Sequence, residues 1–141
     1  MPPVAIDPAV TERVARAFER LPELAAADAD LARRGRFLTC DFEIGVGSVP
    51  LSVSIDHGRV TSVKRGPFLL RSHTFSITAA PETWAGFHQP FPEPGDHDLL
   101  ALTKSGRARV SGDLVPFMGN LQFVKDLLAL PRLLANTEDA A

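Results

Sequence analysis

The sequence predicts an α+β fold: a five-stranded, mostly antiparallel sheet covered on one face by helices. Two observations carry this. A two-residue apolar period runs through most of 36–65, where strand-like segments follow one another with no helix between them, while a helical period occupies 8–34 and 114–134. Strands in runs, with the helices kept apart from them, are the pattern of a sheet that holds its helices to one side.

The elements follow in order. Asp7 ahead of Pro8 starts a helix, because a capping side chain precedes a proline at the position where its missing N–H costs nothing. Val10, Val14, Ala17, Phe18 and Leu21 lie along one face of it, and Pro22 interrupts. From Pro22 to Arg34 strong helix formers resume, and Gly35 ends them. In "RFLTCDFEIGVG" Leu38, Cys40, Phe42 and Ile44 alternate with Phe37, Thr39, Asp41 and Glu43, the period of a strand. After Pro50, Leu51, Val53 and Ile55 alternate with serines up to Asp56-His57-Gly58, with Val60 and Val63 beyond, which makes a hairpin with a glycine-bearing turn. "RSHTFSITAA" is a fourth strand.

From Pro81, "PETWAGF" returns to a helix with acid in its first turn. A proline-rich loop, "HQPFPEPGDHD", separates it from a short helix at 98–105, which Asp96 or Asp98 caps. "RARVSGD" is the fifth strand. The last helix is read as continuous over 114–134 despite Pro116 and Gly119, with Leu114, Phe117, Met118, Leu121, Val124 and Leu128 in one stripe. Val115, Phe123, Leu127 and Leu130 widen that stripe, so the helix needs cover on two sides: the sheet on one, and a helix, an apolar ligand or another chain on the other. The stripe is equally compatible with plain core. The expected organisation is one domain over 1–134, with N-terminal helices in 1–35, the sheet and its covering helices in 36–134, and a polar tail at 135–141.

Composition narrows the function classes. The 141 residues are 45% apolar and 23% charged, the balance of a folded soluble domain. A net charge of −2 gives no attraction toward phosphate backbones, so nucleic acid is not expected as a partner. One cysteine, Cys40, permits no internal disulfide and suits a reducing cytoplasm. No apolar run approaches the ~20 residues that cross a bilayer, and the first residues do not read as a signal peptide, so stable membrane insertion is not expected either.

Chemistry is sparse. His88 and His97 lie near Glu93, Asp96 and Asp98, a set that could hold a metal, but the spacing fits no helical metal motif, and a solvated loop explains it better. His97 with Asp98 is the best acid/base pair on offer, and His88 the alternative. No catalytic residue, metal ligand or cofactor is assigned. Cys40 alternates within a strand, as a small buried apolar group does. His57 in a turn and His73 on a strand read as surface or capping residues, and Arg13, Arg16, Arg20, Arg33 and Arg34 as a solvated helix face, with a phosphate cluster as the sharper alternative.

Four phrases, "FEIGVGSVPLSVSI", "DHGRV", "FSITAAPETWAGF" and "SGRARVSGDLVPFMGNLQFVKDLL", resemble the sterol carrier protein type 2 family, the last of them through a strand ending in Gly112-Asp113 ahead of an apolar helix. The resemblance spans roughly 36–134 and implies a five-stranded sheet under helices with an apolar tunnel for acyl chains, acyl-CoA or sterols. It would place Trp84, Phe87, Leu99, Leu102, Phe117, Met118 and Leu121 in the tunnel wall, with Phe91 on the loop above. The expectation is therefore a cytoplasmic, non-catalytic binding module for an apolar small molecule. Two alternatives stand beside it: a small enzyme using His97 and Asp98 on an apolar substrate, and an accessory or dimerisation domain whose last helix packs on a second copy.

Overall fold

The computed structural model describes residues 8–68 and 72–134. The predicted Asp7 cap and the tail at 135–141 lie outside them. The chain begins with α1 (Pro8–Glu19), α2 (Leu21–Ala26) and α3 (Ala29–Arg34), continues through β1 (Cys40–Val46), β2 (Val49–Asp56), β3 (Arg59–Arg65) and β4 (Phe75–Ala79), and then runs α4 (Pro81–Phe87), α5 (Leu99–Lys104), β5 (Ala108–Gly112), α6 (Leu114–Gly119) and α7 (Leu121–Ala129). Val14, Ala15 and Phe18 bury the inner face of α1, as its spacing predicts.

The sheet order is β3-β2-β1-β4-β5. Every neighbouring pair is antiparallel except β1 and β4, which run parallel, so the sheet is mixed but mostly antiparallel. The β2–β3 turn places His57 at φ 50 and Gly58 at φ 81, the two positive values that a primed hairpin turn demands. Gly58 has a second reason to lack a side chain, since a Cβ there would strike the backbone of Ala32 and Gly35 at the end of α3.

Strand alternation sorts the sheet into two faces. Phe42, Ile44 and Val46, Leu51, Val53 and Ile55, and Phe75, Ile77 and Ala79 are buried against the helices. The opposite face is polar: Glu43 lies opposite Ser52, Ser52 opposite Lys64, and Ser76 opposite Ser111, with the last pair of hydroxyls 2.7 Å apart.

The structure departs from the sequence reading in two helices. The N-terminal stretch breaks at Asp28, whose carboxylate accepts the Leu31 N–H at 3.1 Å and starts α3 afresh. The closing helix is not continuous. Asn120, at φ −126 and ψ 29, ends α6, and its side-chain amide donates to the Pro116 carbonyl at 3.0 Å. Across the break the stripe does not stay buried along its length: Phe123, Val124, Leu127 and Leu128 are core, while Leu114, Val115 and Met118 are 44%, 79% and 57% exposed.

Candidate functional site

Between sheet and helices the described residues form an aromatic-rich apolar core. Trp84 is fully buried, donates its indole N–H to the Gly45 carbonyl at 2.9 Å, and meets Phe18 and Phe87 edge to face at 5.1 and 5.8 Å. Phe42 stacks on Phe75 at 4.9 Å, and Phe75 meets Phe117 at 5.4 Å. Apolar space opens at one end of this layer, where β5 passes between α5 and α6. There a groove of about 480 Å³ has Ala108, Val110 and Phe117 as its floor and Leu100, Leu114 and Met118 around its mouth. Asp113 sets the α6 wall by accepting the Val115 N–H at 3.1 Å, which starts that helix directly after the strand. Arg109 stands at the rim, exposed and with no ion-pair partner among the described residues.

The sequence-predicted residues divide among several places. Phe117 and Met118 meet in this groove, the first buried and the second mostly exposed. Trp84, Phe87, Leu99 and Leu102 are fully buried, Leu121 is half-buried on the first turn of α7, and Phe91 is 93% exposed on the loop. Leu100 and Val110 line the groove without having been singled out, and Leu114 was read only as part of the stripe on the last helix. Their signal was position: they lie in or beside β5, a strand bounded on both sides by short apolar helices.

A second cleft, of about 400 Å³, holds His97 and Asp98 together with Lys125 and Arg132. Its charges are already engaged. Lys125 Nζ lies 2.8 Å from an Asp98 oxygen. Burial pushes the Asp98 carboxyl up, but the Lys125 ammonium and the N–H groups of Ala101 and Leu100 outweigh it, and the net direction is down. Arg132 covers the Phe87 ring at 4.6 Å and donates to the carbonyls of Phe87 at 2.7 Å and His97 at 2.8 Å, so it grips both ends of the proline-rich loop. Arg107 holds the middle by donating to Asp96 at 2.6 Å and to the Gly95 carbonyl at 3.0 Å. The loop is a strapped connection. His97 itself is exposed, its Nδ1 accepting the Gly95 N–H at 3.2 Å.

His88 faces the other way. It is buried among Phe18, Trp84 and Phe87, and its Nε2 lies 3.1 Å from the Leu128 carbonyl. A carbonyl can only accept, so Nε2 carries the proton. Burial lowers the ring's pKa to about 3, with the Leu128 bond opposing and Arg132 assisting, and the imidazole is neutral at pH 7. Cys40 is half-buried, and burial followed by the Asp41 charge pushes its thiol up to about 11, which leaves no thiolate for chemistry. Among the described residues, no three of His, Cys, Asp and Glu are grouped as a metal site would need.

His73, read as a surface or capping residue on a strand, lies instead just ahead of β4 with its side chain largely buried. It lies on the polar face of the sheet, Nε2 at 3.1 Å from Ser52 Oγ and Nδ1 at 3.5 Å from a Glu43 oxygen, with Phe68 against its ring. The order serine, histidine, carboxylate is that of a nucleophilic triad. Ser52, however, is 1% exposed, and the contact instead holds His73, just ahead of β4, against the sheet.

No protein-family profile matches this sequence, and no curated protein matches it. Solved structures do. A crystal structure of sterol carrier protein 2 superposes with a TM-score of 0.63 at 18% identity, over 85% of this chain and 94% of that one. A protein described as UbiJ-SCP2, a ubiquinone synthesis protein, gives 0.52 at 18% identity over 94% and 95%. The sterol carrier protein domain 2 of Helicoverpa armigera gives 0.51 at 14% identity over 81% and 86%. The fold is that of the sterol carrier proteins.

Proposed function

We propose that the protein binds an apolar small molecule, an acyl chain or a polycyclic lipid, in the groove between α5, β5 and α6. The observation that carries this reading is the exposure of Leu114 and Met118 at the mouth of a groove whose floor is Phe117 and Val110. A soluble domain leaves large apolar side chains together in water where something else covers them. Each methylene buried there contributes ~0.8 kcal/mol, so a chain that seats eight to ten methylenes gains roughly 7 kcal/mol before ordering costs. Arg109 at the rim supplies the cation for a carboxylate head group.

The names of the fold neighbours choose two ligands to try, a sterol and a prenylated quinone, and the cation at the groove rim adds a fatty acid. One of them is expected to raise the melting temperature in a concentration-dependent way. Met118→Glu and Leu114→Glu, both on exposed positions, should cut affinity at least about tenfold while moving the ligand-free melting temperature little. Unchanged affinity in both variants would remove the groove as the site.

A further inference from the structure

The free edge of β5 carries a recognition pattern for itself. Asp113 donates its N–H to the Thr74 carbonyl at 2.8 Å, and the β4–β5 register pairs Ser76 with Ser111 and Thr78 with Arg109. Backbone groups alternate in an antiparallel ladder, so residues 109, 111 and 113 bond to β4, while the N–H and C=O of Ala108 and Val110 point out of the sheet. Among the described residues no strand lies beyond them.

We propose that two copies of this chain join through antiparallel pairing of β5 with β5 about a two-fold axis at Val110, extending the sheet across the dimer. The outward groups of Val110 then exchange both hydrogen bonds with Val110 of the second copy. On the polar face the register sets Arg109 opposite Ser111 of the copy and diagonal to Asp113 of the copy, twice over by symmetry. A cation thus comes beside a carboxylate at each end, and neither Arg109 nor Asp113 has an ion-pair partner among the described residues of its own chain. On the inner face Val110 meets Val110, and Ala108 meets Gly112.

The opposite edge of the sheet lacks this match. β3 carries Arg59, Lys64 and Arg65 with no carboxylate in the strand, so self-pairing there would set cation near cation, and α2 packs beside it. Beside β5, by contrast, Leu114, Val115 and Met118 are exposed on the helix that follows the strand. A two-fold axis perpendicular to the sheet keeps both helical layers on the same side. The exposed apolar residues of α6 in both copies therefore lie on one side of the joined sheet.

Sedimentation of ligand-free protein over a range of concentrations tests this independently of any lipid. The expected mass is twice 15.2 kDa, with amide exchange at Ala108 and Val110 slowing as concentration rises. Val110→Pro removes an outward N–H that β4 does not use, and should yield a monomer with an unchanged fold by circular dichroism. Arg109→Glu on the same edge, which adds an acid beside Asp113 of the copy, should weaken the dimer at least about tenfold without touching the ladder. A wild-type monomer at all concentrations overturns the proposal, and so does a dimer whose mass and exchange pattern both variants leave intact.

Discussion

Replacing Trp84 by alanine is expected to cost about 3–5 kcal/mol, a large fraction of what a domain of this size has to lose. Three losses combine. The indole vacates a fully buried position, its edge-to-face contacts with Phe18 and Phe87 go with it, and the Gly45 carbonyl loses its 2.9 Å donor inside the core. Urea denaturation measures the change. Phe91→Ala is the control: at 93% exposed, that ring should move stability by no more than ~0.5 kcal/mol. A loss below about 1 kcal/mol at Trp84 would mean that the ring borders an open cavity in place of a packed core, and it would move the proposed ligand site inward from the β5 groove.

Acid should destabilise the protein earlier than its carboxylates alone would allow, with His88 as the cause. Its folded pKa of about 3 lies below the ordinary 6.5, so between those values the unfolded chain takes up a proton that the folded chain refuses. The stabilising contribution is complete above pH 6.5 and falls as pH drops through that window, by roughly 1 kcal/mol per pH unit. The carboxyls held low by charged partners, among them Glu12, Glu23, Asp30 and Asp98, start from 4.5 or 3.8, so their losses begin further down. Denaturation midpoints between pH 7 and 5 isolate the histidine. His88→Phe keeps a ring in the cluster but removes the titration and leaves the Leu128 carbonyl without its donor, so it should lower stability at pH 7 by about 1–3 kcal/mol and flatten the slope from 6.5 to 5. An equal slope in both proteins would refute the assignment.

Much of this fold was legible in the sequence because its signals are local. Phe42 and Ile44, and Val53 and Ile55, repeat every second residue because one face of the sheet is buried, and α1 repeats at the helical period for the same reason. What escaped was decided by tertiary contact. Nothing in "PFMGNLQF" distinguishes one helix from two until Asn120 turns its side chain onto the Pro116 carbonyl. The proposed groove was half legible. Phe117 and Met118, like Trp84, Phe87, Leu99 and Leu102, were placed by the family resemblance, which does not separate the lining of a groove from the buried core. It also included Phe91, which faces water. His88 and His97 looked alike in a proline-rich loop, yet one end of that loop turns into the core and the other stays on the surface.

The single parallel seam, β1 against β4, bears on how the chain assembles. β1, β2 and β3 pair through short turns, so that side of the sheet can form from nearby residues. The seam sets Glu43 beside Ser76 across the whole β2–β3 hairpin, and the β4–β5 pairing, which sets Ser76 opposite Ser111, joins residues about as distant in the chain. Contacts between distant residues must offset a larger loop-closure entropy, which makes this seam, together with the β4–β5 pairing, later to form than the meander. It is equally the line along which a partial opening would divide the sheet, and amides between β1 and β4 should exchange as one group, ahead of those inside the β1–β2–β3 meander.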